Sequence, residues 1–433
     1  MKENSSEEDK YRMRTRLIHG ARHSKCWDYD HHIVPPISAS AAYRLESVHR
    51  GAEGFAHFAG DEDSEPHIYI YDRLDEPTRG MLEENLASAE GGEIAVCFAT
   101  GMSAVTAALG VATASGDEIV AHHTLYGCTY SFLTRWLPRW NVNVKFVDLR
   151  KQAQLEDAIT DDTRVIYLET PVNPTLDLID ISSIRSFIDN LNTVREKKII
   201  LVVDNTFATP YCQRPLTLGA DLVVESLTKD IGGFGTDMGG VVVSSKAYRE
   251  ALLMYRKDFG AVLSPRAAWP ILVYGLSTLA SRMVNQQKSA LKVAEFLEAH
   301  PRVQKVIYPG LHSFPQYALA KQQMRSYDGK FAPGSMIYFT LKNGSMPASE
   351  AAERFIDYIA EHAYSITLAV SLGQIRTLVE VPYFMTHAAL PESVKQEKGM
   401  EPAGMRLSIG LEDWHDIIRD LDVALNNLEG STA

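Results

Sequence analysis

Ile199-Ile200-Leu201-Val202-Val203-Asp204 and, after a helical-length interval, Leu222-Val223-Val224-Glu225-Ser226-Leu227-Thr228-Lys229 are the two stretches whose reading decides the fold. Each is a short, continuous, β-branched apolar run that closes on polar residues. Such a run is buried on both faces, as strands are in a parallel sheet covered by helices on either side. Working outward, similar runs recur at Glu118-Ile119-Val120-Ala121, Val144-Lys145-Phe146-Val147, Val165-Ile166-Tyr167-Leu168 and Val241-Val242-Val243, with helical stretches between them. Residues 66–265 are therefore expected to form a large α/β domain on a mostly parallel, doubly wound sheet.

Beyond Pro265 the pattern changes to longer helical stretches, notably Ala268 to Ala299. Strands are expected near Met336-Ile337-Tyr338-Phe339 and Met405-Arg406-Leu407-Ser408, so residues 266–433 read as a smaller α/β domain. Residues 1–65 carry no sustained period and run into the acidic Asp61-Glu62-Asp63-Ser64-Glu65; they read as an extended arm that packs on a neighbouring subunit. Ile94 to Ala114 is apolar enough to raise the question of a membrane span, but it is rich in small and hydroxyl residues and reads as a buried helix. Within it, Ala99-Thr100-Gly101-Met102-Ser103-Ala104-Val105 has the form of a turn feeding a helix, whose free N–H groups suit a phosphate; Thr100 as a plain N-cap is the competing reading.

Bulk properties narrow the function classes. The 433 residues exceed one comfortable core, and 45% hydrophobic with 23% charged residues is ordinary for a globular protein. A formal net charge of -12 argues against nucleic-acid or anionic-membrane partners and leaves a small-molecule substrate. Cys26, Cys97, Cys128 and Cys212 are scattered without a C-x-x-C spacing, and the polar N-terminus lacks an apolar signal stretch; a reducing cytoplasm is expected. The pairs His31-His32 and His122-His123 do not suggest a metal, since neighbours on a strand point to opposite faces and no carboxylate stands at ligand spacing in the sequence.

Residues that close successive parallel strands converge on one crevice, so Glu169, Asp204, Ser226, Thr228 and Lys229 are expected to be neighbours. A lysine amine and a carboxylate delivered by two strand ends are the pair needed to hold pyridoxal phosphate (PLP): the amine binds the aldehyde, and the acid keeps the ring nitrogen protonated.

Seven segments then follow one another in the order and spacing of a known family: Tyr71-Asp72-Arg73-Leu74-Asp75-Glu76-Pro77-Thr78, Ala99-Thr100-Gly101-Met102, Thr124-Leu125-Tyr126-Gly127-Cys128-Thr129, Glu169-Thr170-Pro171-Val172-Asn173-Pro174, Val203-Asp204-Asn205-Thr206-Phe207, Ser226-Leu227-Thr228-Lys229 and Arg406-Leu407-Ser408-Ile409-Gly410-Leu411-Glu412-Asp413. From about residue 35 onward the chain resembles the Cys/Met-metabolism PLP-dependent enzymes, the cystathionine γ-synthase-like group. The resemblance implies the type I, aspartate-aminotransferase-like fold of PLP-dependent transferases. It also implies that Lys229 binds the cofactor and moves protons, that Asp204 meets the pyridine nitrogen and that Tyr126 stacks on the ring. Gly101, Met102, Ser226 and Thr228 would hold the phosphate, joined by Tyr71 and Arg73 from a second subunit. Asn173 would meet the ring hydroxyl, and Ser371 and Arg406 the substrate carboxylate. A homo-oligomer built as a dimer of active dimers follows from the same resemblance.

The substrate side points to a branch. Cys128 two residues after Tyr126, the Lys257-Asp258 pair, Ala369-Val370-Ser371-Leu372-Gly373 and Met385-Thr386-His387 are similar to the methionine γ-lyase type, with Cys128, Lys257, Asp258 and Thr386 expected at the substrate. That implies γ-elimination of L-methionine or a related sulfur amino acid to 2-oxobutanoate, ammonia and a thiol. Lys229 would be the base and Tyr126 a proton donor to sulfur if nearby cations acidify its phenol. Val370, where cystathionine lyases tend to carry Glu, favours an uncharged distal group. Several residues depart from the pattern: Asp230 stands where an aromatic usually follows the lysine, and Phe234 replaces a usual His. Glu380-Val381-Pro382 lacks the His before proline, and Glu76 places a carboxylate near Arg73 that could pair with it. The Gly232-Gly233-Phe234-Gly235-Thr236 element resembles O-acetylhomoserine sulfhydrylases, so γ-replacement on an acylated homoserine stays open, as does a catalytically silent PLP-binding relative.

Overall fold

The computed structural model describes residues 10–20, 24, 31–58, 68–342, 346–386, 392, 395 and 400–429. Cys26, His387 and the acidic residues 61–65 lie outside the described residues.

The apolar runs form a seven-stranded sheet from β1 (Ile94–Phe98), β2 (Glu118–His122), β3 (Asn143–Val147), β4 (Thr163–Glu169), β5 (Ile200–Asp204), β6 (Leu222–Ser226) and β7 (Gly240–Ser244), in the spatial order β1-β7-β6-β5-β4-β2-β3. β3, β2, β4, β5 and β6 pair in parallel, and β7 enters antiparallel between β6 and β1. Ile200 to Val203 and Leu222 to Glu225 are buried throughout, which is why their sequences show no polar alternation. Helices cover both faces, giving one apolar cluster around Val96, Leu109, Ile119 and Val242 and another around Ile166, Ile184, Leu201 and Val223.

A second sheet, mixed in direction, is made by β8 (Val303–Ile307), β9 (Met336–Leu341), β10 (Ile366–Leu368), β11 (Thr377–Glu380) and β12 (Gly404–Ser408), in the order β10-β11-β12-β9-β8. Helices Ala348–His362 and Trp414–Asn426 pack on it around Phe339, Phe355 and Leu421. The long helix Ser277–Ala299 joins the two sheets. Its start is irregular, because Pro270 ends the preceding helix Pro265–Pro270 and Ile271–Leu276 coils more loosely before the α-helix resumes.

Two sequence expectations change here. Ile94 to Ala114 is not one helix. It is strand β1, a turn at Thr100 and the helix Gly101–Ala112, capped by the Thr100 side chain accepting from the Ser103 amide at 3.1 Å. Strand and helix segments of this length are both apolar all round when buried, so periodicity does not separate them. No helix among the described residues is long and apolar enough to cross a membrane. The leading segment, expected to be extended, contains helices Met13–His19 and Val48–His57, the second capped by Ser47.

Glu76, expected near Arg73 as a possible partner, is instead the N-cap of helix Pro77–Glu90. Its carboxylate is fully buried and accepts from the Thr78 and Arg79 amides. Burial raises this carboxyl to about 7, with Arg79 pulling the other way. Arg73 turns elsewhere and donates to the Lys257 carbonyl at 2.7 Å.

Candidate active site

The carboxyl ends of β4, β5 and β6 and the N-terminus of helix Gly101–Ala112 open onto a cavity of about 410 Å³, bordered also by Arg406 of β12 and by Val370, Ser371, Leu372 and Thr386 from the connections on either side of β11. Lys229, Asp204, Tyr126, Asn173, Ser226 and Thr228 line it, as do Gly101, Met102, Cys128, Ser371, Thr386 and Arg406. Tyr71, Arg73, Lys257 and Asp258 do not. They gather at a neighbouring surface, where Arg73 lies 5.6 Å from the Tyr71 ring centroid and Lys257 Nζ is 3.4 Å from Asp258. Tyr71 is 44% exposed there.

Lys229 follows β6 by three residues, on a turn whose Lys229 amide bonds the Ser226 carbonyl. Its Nζ donates to Ser371 Oγ at 2.7 Å. Burial, then Arg406, depresses the amine to about 8, with Glu380 and Asp230 opposing. The neutral form that a nucleophile or base needs is therefore still the minority near physiological pH, but far more populated than in an ordinary lysine. Ser371 sits at φ +86°, in a region that side chains seldom adopt; the turn sets its hydroxyl against Lys229.

Asp204 closes β5 and accepts the Thr206 amide at 3.0 Å. Desolvation raises its carboxyl, while the Thr206 contacts hold it down, so the ionised form calls for a cationic partner within the cavity.

Helix Gly101–Ala112 points its first turn at the same space. Thr100 takes the Ser103 amide, leaving Gly101 and Met102 to offer theirs. A Cβ on Gly101 would stand 2.9 Å from the Ser226 Cβ, so only glycine lets this backbone come so close to β6. Thr206 Oγ1 accepts the Ser226 amide at 2.9 Å, and Thr228 is fixed by Gly239.

Tyr126 precedes helix Gly127–Arg135, its amide held by both oxygens of Glu169 at 2.9 and 3.0 Å. The expectation that cations acidify its phenol is not met. Burial comes first among the causes and pushes the phenol well above its ordinary value; Cys128 and Glu169 add to the rise, and Arg406 is too weak a counterweight. Cys128 is exposed to the cavity rather than packed in the core, unlike the buried Cys97 and Cys212.

Arg406 comes from β12 and is almost fully buried. Its Nη1 donates to Asn173 Oδ1 at 3.0 Å, its Nη2 to the Ser371 carbonyl at 2.7 Å, and Nη2 also pairs with Glu380 Oε1 at 3.0 Å. Glu380 is the cross-strand partner of Arg406 in the β11–β12 register and accepts the Thr386 hydroxyl at 3.0 Å. Sequence reading noted Glu380 only as a departure. Its pairing was hidden because the two strands lie 26 positions apart in the chain. Asp230, buried beside Lys229, has no hydrogen-bond partner for either carboxylate oxygen among the described residues, and its carboxyl is raised to about 6 by burial.

One expectation about histidines is also corrected. His122 ends β2 and His123 lies just beyond it, so the rings come together at 4.4 Å between centroids instead of facing apart. Asp148 joins them, and the ligand-type atoms of the three lie within 4.8 Å of one another. Arg150 takes both Asp148 oxygens at 2.8 and 3.0 Å, and the Leu149 amide donates to His122 Nδ1 at 3.2 Å.

The donor set of the cavity fits a phosphorylated pyridine aldehyde. A desolvated amine stands ready for the aldehyde, an acid that needs a cation suits a ring nitrogen, and helix amides with two hydroxyls suit the phosphate.

Comparison with known proteins adds four findings. The model of the family described as Cys/Met metabolism PLP-dependent enzyme matches residues 14–426. The chain is 40% identical over 416 residues to an L-methionine gamma-lyase of Porphyromonas gingivalis, covering 96% of this chain and 97% of that one. It is likewise 40% identical over 413 residues to the L-methionine gamma-lyase of Pseudomonas putida, covering 95% and 96%. Among solved structures, cystathionine gamma-lyase from Lactobacillus plantarum complexed with L-serine superimposes with a TM-score of 0.83 at 32% identity, covering 97% of this chain and all of that one.

Proposed function

The chain belongs to the Cys/Met metabolism PLP-dependent enzyme family, and from that premise we propose that it catalyses γ-elimination on L-methionine or a close sulfur amino acid, releasing 2-oxobutanoate, ammonia and a thiol. The observation that carries this reading is the cavity wall. An arginine anchored for a carboxylate faces a region lined by Val370, Met238 and Cys128, where an uncharged thioether can lie without stranding a polar group.

Bound PLP supplies an electron sink for the negative charge that develops at the substrate carbons. The residues do the rest. Lys229 would hold the cofactor and, once the substrate amine has released it, its depressed amine would take the proton from Cα, deliver it to the cofactor side of the conjugated system and, neutral again, take the proton from Cβ. Asp204 would keep a proton on the ring nitrogen; Gly101, Met102, Ser226 and Thr228 would hold the phosphate, Asn173 the ring hydroxyl and Tyr126 the ring. Burial keeps the Tyr126 phenol protonated, so it does not act as a base in the free site; to give that proton to the departing sulfur it would need to be acidified once cofactor and substrate fill the cavity. Arg406 and Ser371 orient the α-carboxylate, and Thr386 and Cys128 border the side chain. Tyr71 and Arg73, exposed and off this chain's own cavity, complete the phosphate site of a second copy, as in a dimer of active dimers; Lys257 and Asp258 border that copy's substrate. A cytoplasmic setting completes the proposal.

Incubating the PLP-loaded protein with L-methionine tests it. Oxo acid and volatile thiol are expected, and no product above a Lys229→Ala control overturns the reading. The rival γ-replacement rests on the Gly232-Gly233-Phe234-Gly235-Thr236 turn beside Lys229. It predicts that O-acetylhomoserine with sulfide yields a thiol amino acid faster than methionine yields oxo acid. A cofactor absorbance band that no amino acid shifts would instead point to a silent binder.

A further inference from the structure

Arg406 has its partners crowded on one end. Nη1 holds Asn173; Nη2 is shared by the Ser371 carbonyl and by Glu380. A guanidinium grips a carboxylate best through two parallel N–H groups, and Nη2 belongs to both such pairs, with Nη1 at the end and with Nε along the side. A substrate carboxylate seated bidentately on Arg406 must therefore take a place now filled by one of these three. Asn173 and the Ser371 carbonyl are neutral and anchor the side chain, whereas Glu380 is the one that offers what the substrate offers. Glu380 is 1% exposed, its Oε1 divided between Arg406 and Thr386, and its Oε2 has no hydrogen-bond partner among the described residues.

We infer that Glu380 is a specificity-determining residue, an internal carboxylate that occupies Arg406 in the free site and must be displaced by the α-carboxylate of the substrate. This rests on the proposed amino-acid reaction and deepens it. Once displaced, Glu380 keeps the Thr386 hydroxyl and faces Lys229, which it already influences electrostatically. A substrate amine that releases Lys229 from the cofactor returns the lysine amine to the side of Glu380, and once it has taken a proton it is a cationic neighbour for Glu380. A plain carboxylic acid frees no lysine, so it has to unseat Glu380 with nothing to compensate the buried charge. The device thus favours amino acids over simple acids that would fit the same cavity.

Calorimetric titration of the PLP-loaded protein tests this without any turnover. The probes are 4-(methylthio)butanoate, which is methionine without its amino group, and its neutral amide. In Glu380→Gln the acid is expected to bind roughly tenfold more tightly than in wild type, since loss of a charged competitor is worth a charge-assisted hydrogen bond. The amide should be unchanged. Equal affinity of wild type and variant for the acid, or an equal gain for the amide, overturns the inference. Should Glu380→Gln not fold, Glu380→Asp decides: it keeps the charge but draws it back from Arg406, so a smaller gain for the acid supports the competitor role and no gain removes it. A protein that releases no thiol from methionine yet shows the acid-specific gain loses the proposed reaction and retains this role for Glu380.

Discussion

Two pairs of buried side chains, one under each sheet's contribution to the cavity, meet the same problem in opposite ways. Behind Asp204, Glu90 and Glu225 are both fully buried and flank a single amide, Asn205 Nδ2, which donates to an oxygen of each at 2.7 and 3.0 Å. At the front wall, Glu380 and Arg406 are equally buried but opposite in charge. The first pair escapes the cost of desolvation by holding protons: burial raises Glu90 to about 8 and pushes Glu225 up as well, with Glu90 itself adding to the rise of Glu225. The second offsets part of it by pairing: burial still raises Glu380 and lowers Arg406, and each charge opposes the shift of the other. Burial alone does not decide whether a carboxylate is charged; its neighbours do.

The largest expected effect breaks the charged pair. Arg406→Met leaves Glu380 buried without its cation, and a loss of about 3–5 kcal/mol of stability is expected for removing one partner of such a pair. Denaturant unfolding measures it, and a second change, Glu380→Met, should recover most of the loss. No recovery would mean that Arg406 stabilises through Asn173 and Ser371 instead.

The protonated pair is sharpened by pH. A carboxyl raised in the folded state keeps its proton up to about 8 for Glu90, whereas the unfolded chain releases it near 4.3. The folded state binds more protons between those values, so its stability is full below the lower one and is lost as pH rises through the upper one. Glu225→Gln removes one titrating group. Over that interval the slope of stability against pH should become shallower by up to about 1.4 kcal/mol per pH unit. An unchanged slope in unfolding curves taken across this range would show that Glu225 is ionised in the fold.

Glu76 offers a third case, a buried carboxylate satisfied by backbone amides at a helix start. Glu76→Ala is expected to lower stability by about 1 kcal/mol, the usual worth of a cap, with the helix Pro77–Glu90 fraying first in hydrogen exchange. The smallest change concerns Lys229: Ser371→Ala removes one hydrogen bond, worth about 0.5–1.5 kcal/mol, and should shift the pH midpoint of the cofactor absorbance band while leaving the fold intact. A midpoint that does not move would mean that Ser371 only shapes its turn.

Legibility followed the range of the interactions. Asp204, Ser226, Thr228 and Lys229 could be placed together because each closes a strand of one parallel sheet, and parallel strands bring their carboxyl ends to one edge. Thr100 and Gly101 were readable for the same reason, a local turn feeding a helix. Glu76 carried a local signal too, a polar residue directly before Pro77 at a helix start, but it was set against Arg73 instead. The front wall was not readable in this way. Glu380 meets Arg406 through an antiparallel register, and Asp148 meets the two histidines across neighbouring strands; neither spacing is visible along the chain.

Strand-closing residues and the order of the motifs were thus determined by the sequence alone, because hydrophobic periodicity and chain direction fix where a parallel strand delivers its last side chain. Which charges are paired, which are protonated and which compete for the same arginine was decided only by the tertiary structure. Those outcomes depend on desolvation and on distances of a few ångströms between segments that the linear order keeps apart.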